Sequence, residues 1–245
     1  MPHWIINIIQ RIVSIPFRIL LFIFGSFKVS GYGSLSGVDA SKGIILASNH
    51  SNQIDSVILG CAPPLFSKLS PVYFVSLDKS HYKRFPIGRF FYGSFIFTML
   101  GSFSIERGLR NYEATLAKHI KLLKQGRTVT IYPEGRMTPG MNLGEARGGV
   151  AYLAKVTGAP IIPVCITGEE NLRWWQFFLG RSTLKLTYGH PIYFSYIDEP
   201  HLSEDVRYHQ VAQKVMSAIS SLQKEARTEP KASTTLNPSP VIQNS

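Results

Sequence analysis

Asn49-His50-Ser51-Asn52-Gln53-Ile54-Asp55 sets an imidazole and a carboxylate five residues apart. Together these two groups can do general-base chemistry. An aspartate that accepts a hydrogen bond from one ring nitrogen fixes the tautomer, and the other nitrogen then takes a proton near neutral pH. Such a base acts on a hydroxyl or on water. A histidine near an aspartate is also common in purely structural roles, so the pair needs support from its surroundings.

The surrounding elements supply it. Ile44-Ile45-Leu46-Ala47 is a short apolar run ending in Ser-Asn, the pattern of a buried strand feeding a loop. Ile54 to Cys61 reads as the start of a helix, which places Asp55 in the first turn, where the helix dipole favours a carboxylate. Val72–Val75, Ser102–Ile105, Val129–Tyr132, Ile161–Ile166, Leu184–Tyr188 and Ile192–Phe194 read as further strands. Periodicity predicts helices over Asn111–Gln125 and Gly148–Thr157, and a last one from a Ser203 cap to about Lys224. Strands alternating with helices argue an α/β fold, a largely parallel mixed sheet flanked by helices. Ligands of such sheets bind outside the carboxyl ends of the strands. His50 falls at one such end, Arg107 just past another, and Glu134-Gly135-Arg136 past a third. A guanidinium offers a fork of donors suited to phosphate oxygens, and Gly135 lets the backbone approach a ligand closely.

Taken in this order, the blocks resemble those of the glycerolipid acyltransferase family, typified by 1-acylglycerol-3-phosphate acyltransferases. His50 followed by Asp55 is similar to its His-four-residues-Asp block. Phe103-Ser104-Ile105-Glu106-Arg107 resembles the second block, Pro133-Glu134-Gly135 the third, and Ala159-Pro160-Ile161-Ile162-Pro163-Val164 the fourth. The likeness covers roughly residues 30 to 195. In the third block Arg136 follows Gly135 directly, one position earlier than in the commonest form of the family. The resemblance implies acyl transfer from acyl-CoA or acyl-carrier protein, as donor substrate and with no cofactor, to the hydroxyl of a lysophospholipid. His50 is then the base and Asp55 its orienting partner, while Arg107, Glu134, Gly135 and Arg136 hold the acceptor head group. The leading acceptor is 1-acylglycerol-3-phosphate, giving phosphatidic acid; another lysolipid or glycerol-3-phosphate is the alternative. No Gly-x-Ser-x-Gly block is present, so the hydroxyl attacks the thioester directly. Backbone donors around Asn49 or Gly135 are candidates to stabilise the oxyanion. From other classes, the alternatives are a thioesterase using His50 on water and a non-catalytic lipid-binding protein.

Composition bears on the partners. The chain has 245 residues, a net charge of +11, and unusually few charged residues, 17%. Basic and apolar together point to an anionic membrane surface rather than nucleic acid, and no zinc-finger or RNA-binding motif appears. Cys61 and Cys165 read as buried thiols, and no Cys/His cluster suited to a metal is visible. His81, His119, His190 and His201 lack a partnered context. Lys79, Lys83, Arg84 and Arg89 form a basic cluster suited to anionic lipid or simply to water. Phe90 to Leu100 suits either an acyl tunnel or ordinary core.

Residues 1–38 hold no acid and three basic residues, Arg11, Arg18 and Lys28. From Trp4 to Phe27 the chain is mostly Ile, Leu and Phe, and Asn7, Arg11, Ser14 and Arg18 fall on one helical stripe. No signal-peptide cleavage site stands out. Two arginines and Pro16 argue against a membrane span, and a core helix is the third alternative. The stripe, the basic residues and the aromatic anchors favour an interfacial helix or kinked helix pair. The expected organisation is a membrane-associated segment over 1–30, an acyltransferase domain over 31–226, and a disordered tail over 227–245. The active site is expected at the cytoplasmic face of the membrane.

Overall fold

Ile44–Ser48 is buried at every position and forms β2, the middle strand of a sheet of seven strands among the described residues. The computed structural model describes residues 3–24, 26–52, 54–64, 66–77, 98–105, 111–140, 142–169 and 183–228. The other strands are β1 (Ser26–Ser30), β3 (Val72–Leu77), β4 (Ser102–Ile105), β5 (Thr128–Ile131), β6 (Ile161–Thr167) and β7 (Thr183–Tyr188). Their order across the sheet is β1-β7-β6-β2-β5-β3-β4. From β6 to β4 every pairing is parallel, β7 runs antiparallel to β6, and β1 runs parallel to β7. The carboxyl ends of β2, β5 and β6 therefore share one edge of the sheet, as the α/β reading requires.

Both faces of the sheet are covered, which is why β2 and β6 are apolar without alternation. On one face Ile45, Ala47 and Ile161 pack with α3 (Tyr112–Lys124), α4 (Gly149–Thr157) and α5 (Glu204–Thr228). On the other, Ile44, Leu46 and Ile162 pack with Ile58 and Leu59 of α2 (Asp55–Cys61) and Leu21 of α1 (His3–Phe24). α3 begins where the sequence predicts: the Asn111 side chain accepts the Ala114 N–H at 3.1 Å.

His119 of α3 is fully buried against Phe103, and burial pushes its pKa from 6.5 down to about 4. The folded protein thus holds this ring neutral, whereas the unfolded chain protonates it below its ordinary pKa. Stability is intact above about pH 6.5 and falls as the pH drops toward 4, by up to about 3 kcal/mol from this residue alone. Urea unfolding of wild type at pH 7.5 and 5 should show the drop, and His119→Leu should flatten part of it.

The segment before β1 is one helix, running from His3 to Phe24 with Pro16 inside it, rather than a helix pair. Its polar stripe faces the body of the protein. Gln10 acts as an extra strand end: its amide nitrogen donates to the carbonyls of Val72 (2.6 Å) and Leu100 (2.9 Å), and its oxygen accepts the Val72 N–H at 3.0 Å. His3 Nδ1 bonds the Tyr73 hydroxyl at 2.9 Å, Arg18 donates to the Pro63 carbonyl, and Ile6 and Leu21 are buried. The outer face is apolar. Trp4, Ile8, Ile12, Ile15, Phe17, Ile19, Leu20 and Ile23 are each 38–64% exposed. α1 is also the one helix among the described residues that is long and apolar enough to cross a membrane.

Two expectations change. Residues 26–30 are the sheet's edge strand, so the body begins at β1 rather than at residue 31. β1 ends at Gly31, which has φ +73° and where a Cβ would lie 1.9 Å from the Tyr188 carbonyl oxygen. Ile192–Phe194 is not a strand: Ile192 makes a single bridge to Ile161, then Phe194 turns into the core through a short 3₁₀ turn. The Lys79–Arg89 cluster, Phe90 to Phe97 and the tail beyond Thr228 lie outside the described residues. Cys61 and Cys165 are buried free thiols.

Candidate active site

The chain leaves β2 through Asn49, whose side chain pins the end of β2 to the end of β6. Its Oδ1 accepts the Ile166 N–H at 2.8 Å and its Nδ2 donates to the Ile166 carbonyl at 2.9 Å. Next comes His50. Asp55 opens α2 and turns back, and its Oδ2 lies 3.0 Å from His50 Nδ1. The same oxygen accepts the N–H groups of Ser51 and Asn52, each at 2.9 Å. One fully buried carboxylate thus caps its own helix and fixes the ring. The His50 side chain keeps 21% exposure, so the ring reaches solvent while Asp55 does not. With Nδ1–H donating to Asp55, the Nε2 lone pair is left to act as a base.

Tyr132, at the end of β5, stacks on the imidazole with ring centres 4.0 Å apart and planes 15° from parallel. Its hydroxyl bonds the Ser56 hydroxyl at 2.8 Å. Burial and then the Asp55 charge push the phenol pKa well up, so it stays neutral.

The turn after β5 grips the His50 backbone from both sides. Glu134 Oε1 accepts the His50 N–H at 3.0 Å, and the Thr138 N–H donates to the His50 carbonyl at 2.8 Å. Glu134 Oε2 accepts the Gly144 N–H at 2.7 Å. Glu134 is 2% exposed and both of its oxygens are engaged by backbone N–H groups, so in this structure the acid braces the histidine loop. Gly135 has φ +62°, and a Cβ there would meet the Arg147 side chain at 2.5 Å, so only glycine suits the turn. Arg136 is exposed on the segment that runs beside His50. Arg107 lies outside the described residues, two positions beyond the end of β4.

Residues 29–167, more than half of the chain, match the acyltransferase family model. The chain belongs to the acyltransferase family. The resemblance carried by the four sequence blocks is thereby borne out. The enzyme is 26% identical over 187 residues to the 1-acyl-sn-glycerol-3-phosphate acyltransferase of Borreliella burgdorferi, covering 76% of this chain and 68% of that one. It is 22% identical over 177 residues to the probable 1-acyl-sn-glycerol-3-phosphate acyltransferase of Mycoplasma pneumoniae, covering 67% and 64%. Its fold is similar to the crystal structure of the 1-acyl-sn-glycerophosphate acyltransferase PlsC from Thermotoga maritima. The TM-score is 0.59 at 19% identity, covering 92% of this chain and 81% of that one.

Several parts of the acyltransferase's site escape sequence reasoning. Tyr132 is one. Another is Glu169, fully buried just past β6, whose Oε1 accepts from the Ser51 hydroxyl at 2.5 Å and whose carbonyl accepts from Asn52 Nδ2 at 3.2 Å. Its only sequence signal is its place after a strand end. Four of the backbone N–H groups around Asn49 and Gly135 are engaged within the loop: Glu134 takes that of His50, Asp55 those of Ser51 and Asn52, and the Tyr132 carbonyl that of Gly135 at 2.9 Å. No group of His, Cys, Asp and Glu among the described residues is arranged to hold a metal.

Asp55→Asn tests the orienting pair. The amide oxygen can occupy the position of the aspartate Oδ2 and still accept there, so the ring stays placed, but the charge that steadies the imidazolium is lost. A charge-assisted bond exceeds a neutral one by about 1–2 kcal/mol, so kcat should fall roughly five- to thirtyfold with KM little changed. Steady-state kinetics of the variant check this.

Proposed function

We propose that the enzyme moves a fatty acyl group from acyl-CoA or acyl-carrier protein to the free hydroxyl of 1-acylglycerol-3-phosphate, giving phosphatidic acid. The observation that carries this reading is the partly exposed imidazole locked to a fully buried carboxylate, in a chain whose relatives bear that activity in their names. His50 Nε2 takes the hydroxyl proton as the oxygen attacks the thioester carbonyl carbon. The tetrahedral intermediate collapses, the carbon–sulfur bond breaks, and the imidazolium returns the proton to the leaving thiolate. Asp55 and the Tyr132 ring steady the positive charge in between. Arg136, with Arg107, holds the acceptor phosphate, because their guanidinium forks suit it.

The reaction takes place at a membrane surface, with the site on the cytoplasmic side where acyl-CoA and acyl-carrier protein are found. Support comes from α1. A helix bonded to the body along its polar stripe and bare on its apolar side is suited to lie in the plane of the interface. Spanning would carry the body into the hydrocarbon with it.

Purified enzyme in detergent, given a panel of lysolipids with labelled acyl-CoA or acyl-carrier protein, tests this. The expected product is phosphatidic acid, absent with His50→Ala. Preferred acylation of another lysolipid, or release of free fatty acid with no acceptor present, overturns the assignment.

A further inference from the structure

The polar stripe of α1 does more than dock the helix. Asn7, Arg11, Ser14 and Arg18 line a cleft closed on its far side by Pro63 and Ser70, beyond the carboxyl end of α2. Asp55 and the catalytic ring lie at the opposite end of that helix. Arg11 and Arg18 are two helical turns apart, about 10 Å along the axis, on the same face.

Neither guanidinium meets a carboxylate among the described residues. Arg11 Nε donates to Asn7 Oδ1 at 2.6 Å, and its Cζ sits 4.7 Å from the centre of the Phe66 ring. Arg18 donates to the Pro63 carbonyl, and its Nε is buried with no hydrogen-bond partner. No acid lines the cleft among the described residues: residues 1–38 contain none, and neither does the stretch from Ser56 to Leu77 that supplies Gly60, Pro63 and Ser70 to the opposite wall. A buried donor left unpaired is destabilising, the more so when it is charged. Two forked cations in a cleft with no acid among its described lining residues call for an anion from outside, and phosphate oxygens match the fork.

We infer that this cleft binds the phosphodiester head group of an anionic glycerophospholipid, at a second lipid site separate from the acceptor site. The inference rests on α1 lying in the membrane interface, because its bare outer face then sets the cleft at head-group depth. Phe66, 88% exposed beside Arg11, extends the apolar surface on which the acyl chains of that lipid would lie.

The test is partition of the full-length enzyme onto vesicles of pure phosphatidylcholine and onto vesicles carrying a quarter phosphatidylglycerol. Wild type should prefer the anionic vesicles. Arg11→Gln with Arg18→Gln should lower that preference by about thirtyfold, given the usual contribution of each basic residue near such a surface. Lys214→Gln with Lys224→Gln removes the same charge from exposed positions on α5, on the opposite face of the sheet, and should change the preference less than about twofold. Arg11→Lys with Arg18→Lys keeps the charge and the docked helix but loses the fork, and should lower the preference about threefold or more. Excess inorganic phosphate, matched against chloride, should not displace the enzyme. The inference is overturned if the arginine variants lose no more than the α5 control, if the lysine pair equals wild type, or if free phosphate competes. Binding to phosphatidylcholine without preference for phosphatidylglycerol sinks the cleft but leaves the membrane reading standing. Binding to neither vesicle sinks both.

Discussion

His50→Ala lowers kcat by about 10²–10⁴, the usual worth of a positioned general base. The loss is in chemistry, because the fold around the site does not depend on the ring. Asp55 Oδ2 keeps the N–H groups of Ser51 and Asn52, so its buried charge stays solvated by the backbone. Asn49 still ties β2 to β6, and the backbone of residue 50 still meets Glu134 and Thr138. What disappears is one side-chain bond and the stack on Tyr132. The melting midpoint should therefore fall by only a few degrees, about what 1–2 kcal/mol produces in a domain of this size. Activity assays and a thermal scan on the same preparation check both halves. A variant that keeps more than a tenth of the activity would remove His50 from the mechanism.

Glu134→Ala has the largest expected effect on stability. It orphans the part-buried His50 and Gly144 N–H groups together, at up to about 1–3 kcal/mol each. A total of about 2–6 kcal/mol is a large share of the 5–15 kcal/mol that holds an ordinary domain folded. Activity should fall as well, because the histidine loop loses one of its two lateral grips. Glu134→Gln separates the two effects. Its single amide oxygen can satisfy one of the N–H groups, while its NH₂ opposes the other. It should recover about half of the lost stability. Urea unfolding of both variants provides the measurement. A variant with normal stability and a raised KM for the acceptor would return Glu134 to the head group.

The bracing contacts of Glu134 are not visible in the sequence, for a physical reason. An acid next to a glycine and an arginine at a strand end looks like a ligand contact, and its real partners are backbone amides, which leave no mark in the sequence. Tyr132 was hidden for another reason. It stacks on His50 because β5 lies beside β2, and sheet order is set by long-range packing rather than by local pattern. Glu169 likewise meets Ser51 across the β2–β6 pair. His50 with Asp55 was legible because their contact is closed within one loop and one helical turn. β1 merged into the apolar run of α1, so only the β7 pairing sets it apart. The polar stripe of α1 was plain in the spacing. Periodicity alone does not say whether such a stripe meets water or protein.

Gln10 has a practical consequence for anyone preparing this enzyme. Trimming the chain after Phe24 to obtain a detergent-free fragment would strip the partner from the Val72 N–H and from the Val72 and Leu100 carbonyls, and would uncover the pocket that receives Ile6. The fragment would carry a torn sheet edge. Recoding the outward isoleucines at 8, 12, 19 and 23 as glutamine or glutamate leaves those seams closed and removes the grease instead.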